Sequence, residues 1–392
     1  MQTEWTRPQE AGLHPQRLGR LAGALQREID RRRLPGAIAV IGRRGRVAWT
    51  HCAGTLDPAT GAPMLPDSLF RIFSMTKPIV SVAAMMLFEE GRLALTDPLA
   101  QYLPEFGATQ VMAEDASGHR LEAQRAPITV HDLLRHTSGL TYDFTGTGEV
   151  NRQYALANLA DRSRSNAALM TALAALPLAH QPGTRWEYSR STDVLGRLIE
   201  IISGQTLGEF LAQRVFAPLG MTDTAFQVAP GQHHRIAEPF AQDPDSGAPV
   251  RLYQPREKPA LEGGGGGLVS SAADYTRFLK LLAGGGRLGT ERLLSRDTVA
   301  FMTADHLGSI PGDGVLLPPG HGFGLGFAVR TQAGVASLPG SVGSFFWGGI
   351  AGTTFWVDPA RELFAMMLVQ APAQRNEYRA LFRTMVYAAL DD

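Results

Sequence analysis

Apolar, strand-forming segments lie at both ends of this 392-residue chain, on either side of a mainly helical middle. Near the start, two such runs are separated by a turn at Gly45 and follow an amphipathic helix; the helix is predicted at residues 15–33 and the strands at 37–41 and 47–51. Near the end, three predicted strands precede a closing helix, at residues 324–329, 353–357, 363–369 and 376–390. Such an arrangement implies one sheet assembled from distant segments.

The predicted fold class is therefore α+β, with a central antiparallel sheet flanked by helices and an inserted, mainly helical lobe. Residues 1–75 and 265–392 are expected to form the α/β domain around the sheet, and residues 76–264 the helical domain. Small molecules commonly bind between two such lobes, so we expect the active site in the cleft. Further helices are predicted at residues 166–176, 191–202 and 206–217, and from Ser270 or Ser271 to Leu282.

The composition excludes several classes of function. Acidic and basic residues number 37 each, which gives no electrostatic basis for binding nucleic acid or an anionic membrane. The single cysteine, Cys52, excludes an internal disulfide and a multi-cysteine zinc site, and no cofactor is expected. Residues 1–7 lack the apolar stretch of a signal peptide, and no segment approaches the length of a membrane span, so the expected location is the cytoplasm.

The motif Ser74-Met75-Thr76-Lys77 contains one of only three lysines among the 37 basic residues. Arginine stays protonated at any relevant pH, whereas a buried lysine can lose its proton and act as a base. Ser74 is predicted to begin a helix, so Lys77 shares its face one turn later. Burial and the positive end of the helix dipole are expected to lower the pKa of Lys77. The alternative is that Ser74 only caps the helix, with Pro78 in its first turn.

Tyr188 precedes the predicted helix at residues 191–202, at a junction where its phenol could face the cleft. The alternative is an aromatic residue that packs under Trp186.

Farther along the chain, Gly348 and Gly349 precede strong strand signals, and adjacent glycines mark places where a backbone or ligand comes close. An unpaired N–H there would form an oxyanion hole with the N–H of Ser74, unless the glycines form a simple bulge.

Other catalytic motifs are missing from the sequence. No Gly-x-Ser-x-Gly occurs, so the nucleophile elbow of α/β-hydrolases is excluded. His131 and His136 do not have the spacing of a His-Glu-x-x-His zinc site. The glycine run at residues 263–267 lacks the lysine of a phosphate-binding loop, and we expect it to form a mobile wall of the cleft.

Together, three motifs resemble those of the serine β-lactamase and penicillin-binding-protein superfamily in their order and separation. They are Ser74-x-x-Lys77, Tyr188-Ser189-x and Trp347-Gly348-Gly349. Segments at residues 70–74, 133–140 and 265–270 look like the flanking segments of its class C-like branch. Within that branch, the chain is most similar to the family VIII carboxylesterases.

The resemblance implies a role for each motif. Ser74 would be the acylated nucleophile, and Lys77 and Tyr188 the base pair that deprotonates it; which of the two is the primary base stays open. Tyr188 would also protonate the leaving group and activate the deacylating water. The N–H groups of Ser74 and Ile350 would form the oxyanion hole. The residues expected to contact the substrate are Trp347, Gly348, Gly349 and Arg190.

Two departures from the β-lactamases favour esters as substrates. Arg190 replaces the asparagine that ends their second motif, and Trp347 replaces the lysine or histidine that begins their third. That cation helps to hold the carboxylate of a β-lactam or peptide, whereas an apolar wall suits a neutral acyl ester. Arg190 offers another source of positive charge, which leaves β-lactam hydrolysis open.

The leading prediction is a serine carboxylesterase that cleaves esters of short to medium acyl chains through an acyl-enzyme on Ser74. Its expected partner is a small-molecule ester. The alternatives on the same scaffold are a β-lactamase, a D-amino-acid peptidase or amidase, and an acyltransferase. An alternative from a different functional class is a non-catalytic binding protein that keeps the fold. The presence of all three motifs argues against this alternative.

Overall fold

A computed structural model of the protein describes residues 5–115, 118–312 and 314–391. Residues 1–4, which belong to the predicted α/β domain and to the segment inspected for a signal peptide, lie outside them. The helices are α1 Pro15–Asp30, α2 Thr76–Glu89, α3 Val130–Leu134, α4 Glu149–Leu156, α5 Asn166–Ala174, α6 Ser191–Ser203, α7 Leu207–Leu211, α8 Ala217–Leu219, α9 Ala272–Ala283, α10 Arg296–Met302 and α11 Arg375–Ala388.

The strands are short except at the centre of the main sheet. They are β1 Gly36–Arg43, β2 Arg46–Asp57, β3 Ala62–Pro63, β4 Leu69–Arg71, β5 Val111–Asp115, β6 Gly118–Glu122, β7 Val269–Ser271, β8 Arg287–Leu288, β9 Glu291–Arg292, β10 His321–Phe323, β11 Ala328–Arg330, β12 Phe345–Gly348, β13 Thr354–Asp358 and β14 Leu363–Val369.

Eight strands form one antiparallel sheet in the order β10-β11-β12-β13-β14-β1-β2-β3. The N-terminal hairpin joins the C-terminal strands through β1 and β14, where Ala39 lies opposite Met367. On its other side, β1 pairs with β2, and Ala39 lies opposite His51. The prediction of an α+β fold with one central sheet assembled from both ends of the chain is therefore confirmed.

The sheet separates two hydrophobic cores. Successive residues of a strand face opposite sides, so Ala37, Ala39 and Ile41 pack with α1 and α11 on one face. Ile38 and Val40 join the larger core on the other face, which includes α2 and α9. Strand β1 is thus buried along its full length, and the larger core ties the sheet to the helix that follows Ser74.

Two predicted elements differ in the structure. Of the strand predicted at residues 324–329, only residues 328–329 are strand, at the start of β11. Residues 324–327 form a turn between β10 and β11, in which the Gly324 N–H donates to the Phe327 carbonyl at 2.8 Å. Gly326 has a φ of 98° there, a conformation that strands do not use. The helix predicted at residues 206–217 is interrupted by a π-helical segment, Ala212–Phe216, between α7 and α8.

The hydrophobic helices of this fold are packed inside the protein, as α2 shows. Over the ranges that the structure describes, no helix has both the length and the apolar character needed to cross a membrane.

Candidate active site

Ser74 lies in a tight turn between a short strand and a long buried helix. Strand β4 pairs with β7, and the 3-10 turn Phe73–Met75 then leads directly into α2. Phe73 has a φ of 45°, in the left-handed region that residues other than glycine rarely adopt. Backbone strain is thus stored immediately before Ser74, as is common at functional sites. Ser74 itself is partly exposed and precedes the helix instead of forming its first residue.

Lys77 is enclosed by groups from three separate segments. Its side chain is almost fully buried, and Nζ donates to the Tyr142 hydroxyl at 3.0 Å and to the Gly265 carbonyl at 2.6 Å. The ammonium also lies 4.5 Å from the centroid of the Tyr188 ring, which is cation–π distance. Its partners therefore orient the ammonium toward Tyr142 and Tyr188, the two tyrosines beside the motif.

The expectation that the pKa of Lys77 is lowered is wrong. Burial does lower it, and is the largest single influence, but Tyr142, Tyr188 and Asp193 together outweigh burial and raise the pKa above its usual value. Of these three groups, the sequence analysis indicated only Tyr188 as a neighbour of the ammonium. We therefore expect Lys77 to be protonated at neutral pH.

Tyr142 is a site residue that the sequence analysis missed. Asn151 holds it by donating from Nδ2 to the Tyr142 carbonyl at 2.6 Å, and its ring stacks on the exposed Phe144 with centroids 4.7 Å apart. Burial raises the pKa of the Tyr142 phenol, while Lys77 opposes that shift. One feature of the sequence could have pointed to Tyr142. It lies two residues beyond Leu140, which ends the segment 133–140 that resembles the class C-like branch.

Tyr188 lies in the irregular segment before α6 and is 5% exposed. Its hydroxyl accepts a long hydrogen bond, 3.4 Å, from Trp347 Nε1, and the two ring centroids are 5.1 Å apart. On other sides it packs against Tyr142 and His136, with centroids at 5.3 and 5.1 Å. The structure therefore brings the second and third motifs into direct contact. Trp186 also lies beside Tyr188, as the packing alternative required.

Gly349 brings the third motif against the chain that precedes Ser74. A Cβ at Gly349 would lie 2.5 Å from the Ile72 carbonyl, so only glycine permits this approach. The Gly349 N–H donates to the Thr353 carbonyl at 2.9 Å, and Ile350 follows at an exposed position. In the described part of the chain, no backbone hydrogen bond outside the regular elements uses the N–H of Ser74 or Ile350 as donor.

Arg190 is directed into a buried polar network. Its Nη1 lies 3.5 Å from Asp193 Oδ2, and its guanidinium lies 5.1 Å from the centroid of the Tyr142 ring. Asp193 also accepts from the Gly265 N–H at 2.8 Å. Asp193 thus compensates the charge of Arg190 and fixes the glycine segment whose carbonyl binds Lys77. A Cβ at Gly265 would lie 2.8 Å from the Tyr142 hydroxyl, which explains the glycine.

A large cavity lies away from the motif residues, so we identify the candidate site by the chemistry of its side chains and not by cavity volume. A cavity of about 920 Å³ is lined by Asn166, Glu200, Phe226 and Glu262, among others, and by none of the motif residues above.

Several histidines should make the protein sensitive to acid. The pKa is lowered by burial at His51, His131, His136, His180, His306 and His321, and reaches about 4 at His131. An unfolded chain protonates histidine near pH 6.5, so below that pH it binds more protons than the native state. We expect the urea midpoint to fall steadily as the pH decreases from about 6.5 toward 4.

The matched variants for this experiment are His131→Asn and His234→Asn, because His234 is exposed. The first should reduce the pH dependence of the midpoint and the second should leave it unchanged. A midpoint that stays constant or rises on acidification would contradict the prediction.

Comparison with known proteins assigns the chain to a family. The β-lactamase family model matches residues 21–388. The protein Rv1367c of Mycobacterium tuberculosis is 36% identical over 348 residues, which cover 86% of each chain. Esterase EstB of Burkholderia gladioli is 33% identical over 374 residues, covering 89% of each chain.

Among solved structures, EstCE1, described as a hydrolase with promiscuous acyltransferase activity, superposes with a TM-score of 0.78 at 27% identity. The match covers 95% of this chain and 99% of EstCE1. The motifs, the central antiparallel sheet and these relatives agree with one another. The chain belongs to the β-lactamase family, in the part of that superfamily that contains the family VIII esterases.

Proposed function

We propose that the protein is a serine esterase that hydrolyses neutral carboxylic esters of short to medium acyl chains through an acyl-enzyme on Ser74. The observation that carries the proposal is the contact between Trp347 and Tyr188, which puts an uncharged indole where a β-lactamase of this family has a cation. The esterase relatives support ester hydrolysis or acyl transfer as the general chemistry.

In the proposed mechanism, Tyr188 is the base that takes the proton of Ser74. The raised pKa of Lys77 supports this assignment, because a protonated lysine has no lone pair to accept a proton. The ammonium beside the Tyr188 ring would instead place a positive charge next to the site of proton transfer. Tyr142 and Gly265 would hold Lys77 in place for this task.

Ser74 Oγ then attacks the ester carbonyl and its proton passes to Tyr188. The tetrahedral oxyanion would accept hydrogen bonds from the N–H groups of Ser74 and Ile350. Collapse breaks the bond to the alcohol, which leaves with the proton from Tyr188. A water molecule next gives a proton to Tyr188 and attacks the acyl-enzyme, and that proton returns to Ser74 as the acid departs.

The environment of the site favours a neutral substrate. Trp347 and Tyr188 are both largely buried and present aromatic surface, which suits an apolar acyl or alcohol group. The charge of Arg190 is already engaged by Asp193, so it is poorly placed to bind a substrate carboxylate. Acyl transfer to an added alcohol is the second candidate, because EstCE1 is described with that activity.

The test is turnover of p-nitrophenyl acetate, butyrate and octanoate measured beside a chromogenic cephalosporin. We expect kcat/KM to favour the esters, and intact-mass spectra to show one acyl adduct per chain during ester turnover. A clear preference for the cephalosporin would reverse the proposal in favour of a β-lactamase. Repeating the assay with added alcohol distinguishes the second candidate, since a transferase forms a new ester in place of free acid.

A further inference from the structure

Arg379 on α11 lies directly behind the turn that carries the proposed second oxyanion donor. Its Nη2 donates both to the Gly349 carbonyl and, at 3.1 Å, to the Thr353 carbonyl. The Gly349 carbonyl belongs to the same peptide unit as the Ile350 N–H. The guanidinium therefore bonds the opposite end of the peptide that would stabilise the oxyanion.

The surrounding chain is shaped to admit this guanidinium. A Cβ at Gly348 would lie 2.8 Å from Arg379 Nη2 and 2.8 Å from the Thr353 carbonyl, so glycine is needed for the close approach. The Gly352 N–H also donates to the Gly349 carbonyl, at 3.0 Å, which closes the turn. The carbonyl is thus held from two directions, once by the backbone and once by a cation.

The same turn is connected to the nucleophile. Thr353 Oγ1 donates to the Ile72 carbonyl at 3.3 Å, and the Met75 N–H donates to that carbonyl at 3.0 Å. Ile72 therefore links the turn of Ser74 to the turn that Arg379 holds. This linkage sets the spacing between the two N–H groups of the proposed oxyanion hole.

Arg379 carries its charge without a carboxylate partner among the described ion pairs. Burial is the main cause that lowers its pKa, to about 10, with help from Arg375, so it stays protonated at neutral pH. Arg379 is partly buried, and a cation removed from water in this way needs hydrogen bonds in its place. Here the bonds go to main-chain carbonyls beside the proposed site, and a cation on a carbonyl polarises the N–H of the same peptide.

We propose that Arg379 is a positioning residue that orients and polarises the Gly349–Ile350 peptide for oxyanion stabilisation. The inference rests on the proposed hydrolysis through Ser74. Arg379 does not touch the reacting atoms in this role. Its loss should therefore lower kcat and leave KM for a neutral ester nearly unchanged, because the ester carbonyl gains its negative charge only in the transition state.

The experiment compares Arg379→Gln with Arg375→Gln on a neutral p-nitrophenyl ester. Arg375 is one turn earlier on the same helix and donates to the Pro372 carbonyl at 2.7 Å, so it is the matched control. We expect kcat to fall roughly 10- to 100-fold for Arg379→Gln and less than about 3-fold for Arg375→Gln. Arg379→Lys should recover part of kcat, and millimolar guanidinium should partly rescue Arg379→Ala.

Folding and function are separated by two further measurements. The urea midpoint of each variant reports whether it folds normally, and Ser74→Ala tests the proposed function itself. If Ser74→Ala is inactive while Arg379→Gln matches Arg375→Gln, the inference about Arg379 is wrong and the proposed function stands. If Ser74→Ala keeps full activity, the proposed function has failed first.

An assay with an ester that carries a carboxylate resolves the remaining competing role. Should Arg379→Gln raise KM only for that acidic ester and leave kcat for the neutral ester intact, Arg379 would be a substrate-binding residue and the positioning role would be overturned.

Discussion

Ser74→Ala should reduce ester hydrolysis by about 10³- to 10⁶-fold, to a level set by the remaining binding groups. The substitution removes the oxygen that forms the acyl bond, and no other hydroxyl among the described side chains takes its place in the turn Phe73–Met75. The measurement is kcat/KM with p-nitrophenyl butyrate, together with the mass of the protein during turnover. The acyl adduct should be lost with the activity.

Ser74→Cys is the control for this variant, because it keeps a nucleophile of similar size at the same position. It should accept an acyl group and show an adduct even if turnover is slow. An unchanged rate in Ser74→Ala would exclude the acyl-enzyme mechanism and favour a binding protein or a different site.

Tyr188→Phe should lower kcat/KM by about 10²- to 10⁴-fold, the usual contribution of a general acid–base group. The substitution keeps the ring that packs against Trp347 and Lys77 and removes only the hydroxyl, so the fold should be preserved. Both acylation and deacylation should slow, since the same oxygen handles the proton in each step. Stopped-flow kinetics that separate the burst from the steady state measure the two effects.

Tyr275→Phe is a stringent control for Tyr188→Phe. The Tyr275 side chain is also fully buried and its hydroxyl donates to the Met75 carbonyl at 3.0 Å, next to Ser74. Among the described residues, that hydroxyl makes no hydrogen bond with Lys77. Its loss should cost about 1 kcal/mol of stability and leave most of the activity. Equal losses of activity in the two variants would show that the Tyr188 hydroxyl acts through packing and not through proton transfer.

The sheet was predictable because local pattern and global fold agree there. Strand β14 was predicted at its observed bounds, since a continuous apolar run is typical of a strand buried on both faces. The turn at Gly324 to Phe327 was missed because Gly324 and Gly326 alternate with apolar residues, and this alternation is also typical of a strand. What distinguishes it is the φ of Gly326 and the close approach to Ser81, and neither is visible in one sequence.

Within the candidate site, the sequence indicated the residues of the three motifs better than it indicated their electrostatics. Lys77, Tyr188 and Trp347 are brought together in the structure as the resemblance implied, although their roles stay predictions. Tyr142 and Arg379 lie outside the three motifs, and only the folded chain brings them to the site. The direction of the Lys77 pKa shift depends on Tyr142, Tyr188 and Asp193, which is why burial and the helix dipole predicted it wrongly.

The pairing of β1 with β14 also affects how the protein is made. Ala37 lies opposite Val369, so the central pair of the sheet joins residues separated by more than 300 positions. Contacts at such a separation form late, because a long loop must close before they are gained. On the ribosome, Ser74 emerges long before β12 and α11, and the nascent chain therefore has the proposed nucleophile but not the proposed oxyanion turn. Catalytic competence is therefore expected only after β12 and α11 have been synthesised and have joined the sheet.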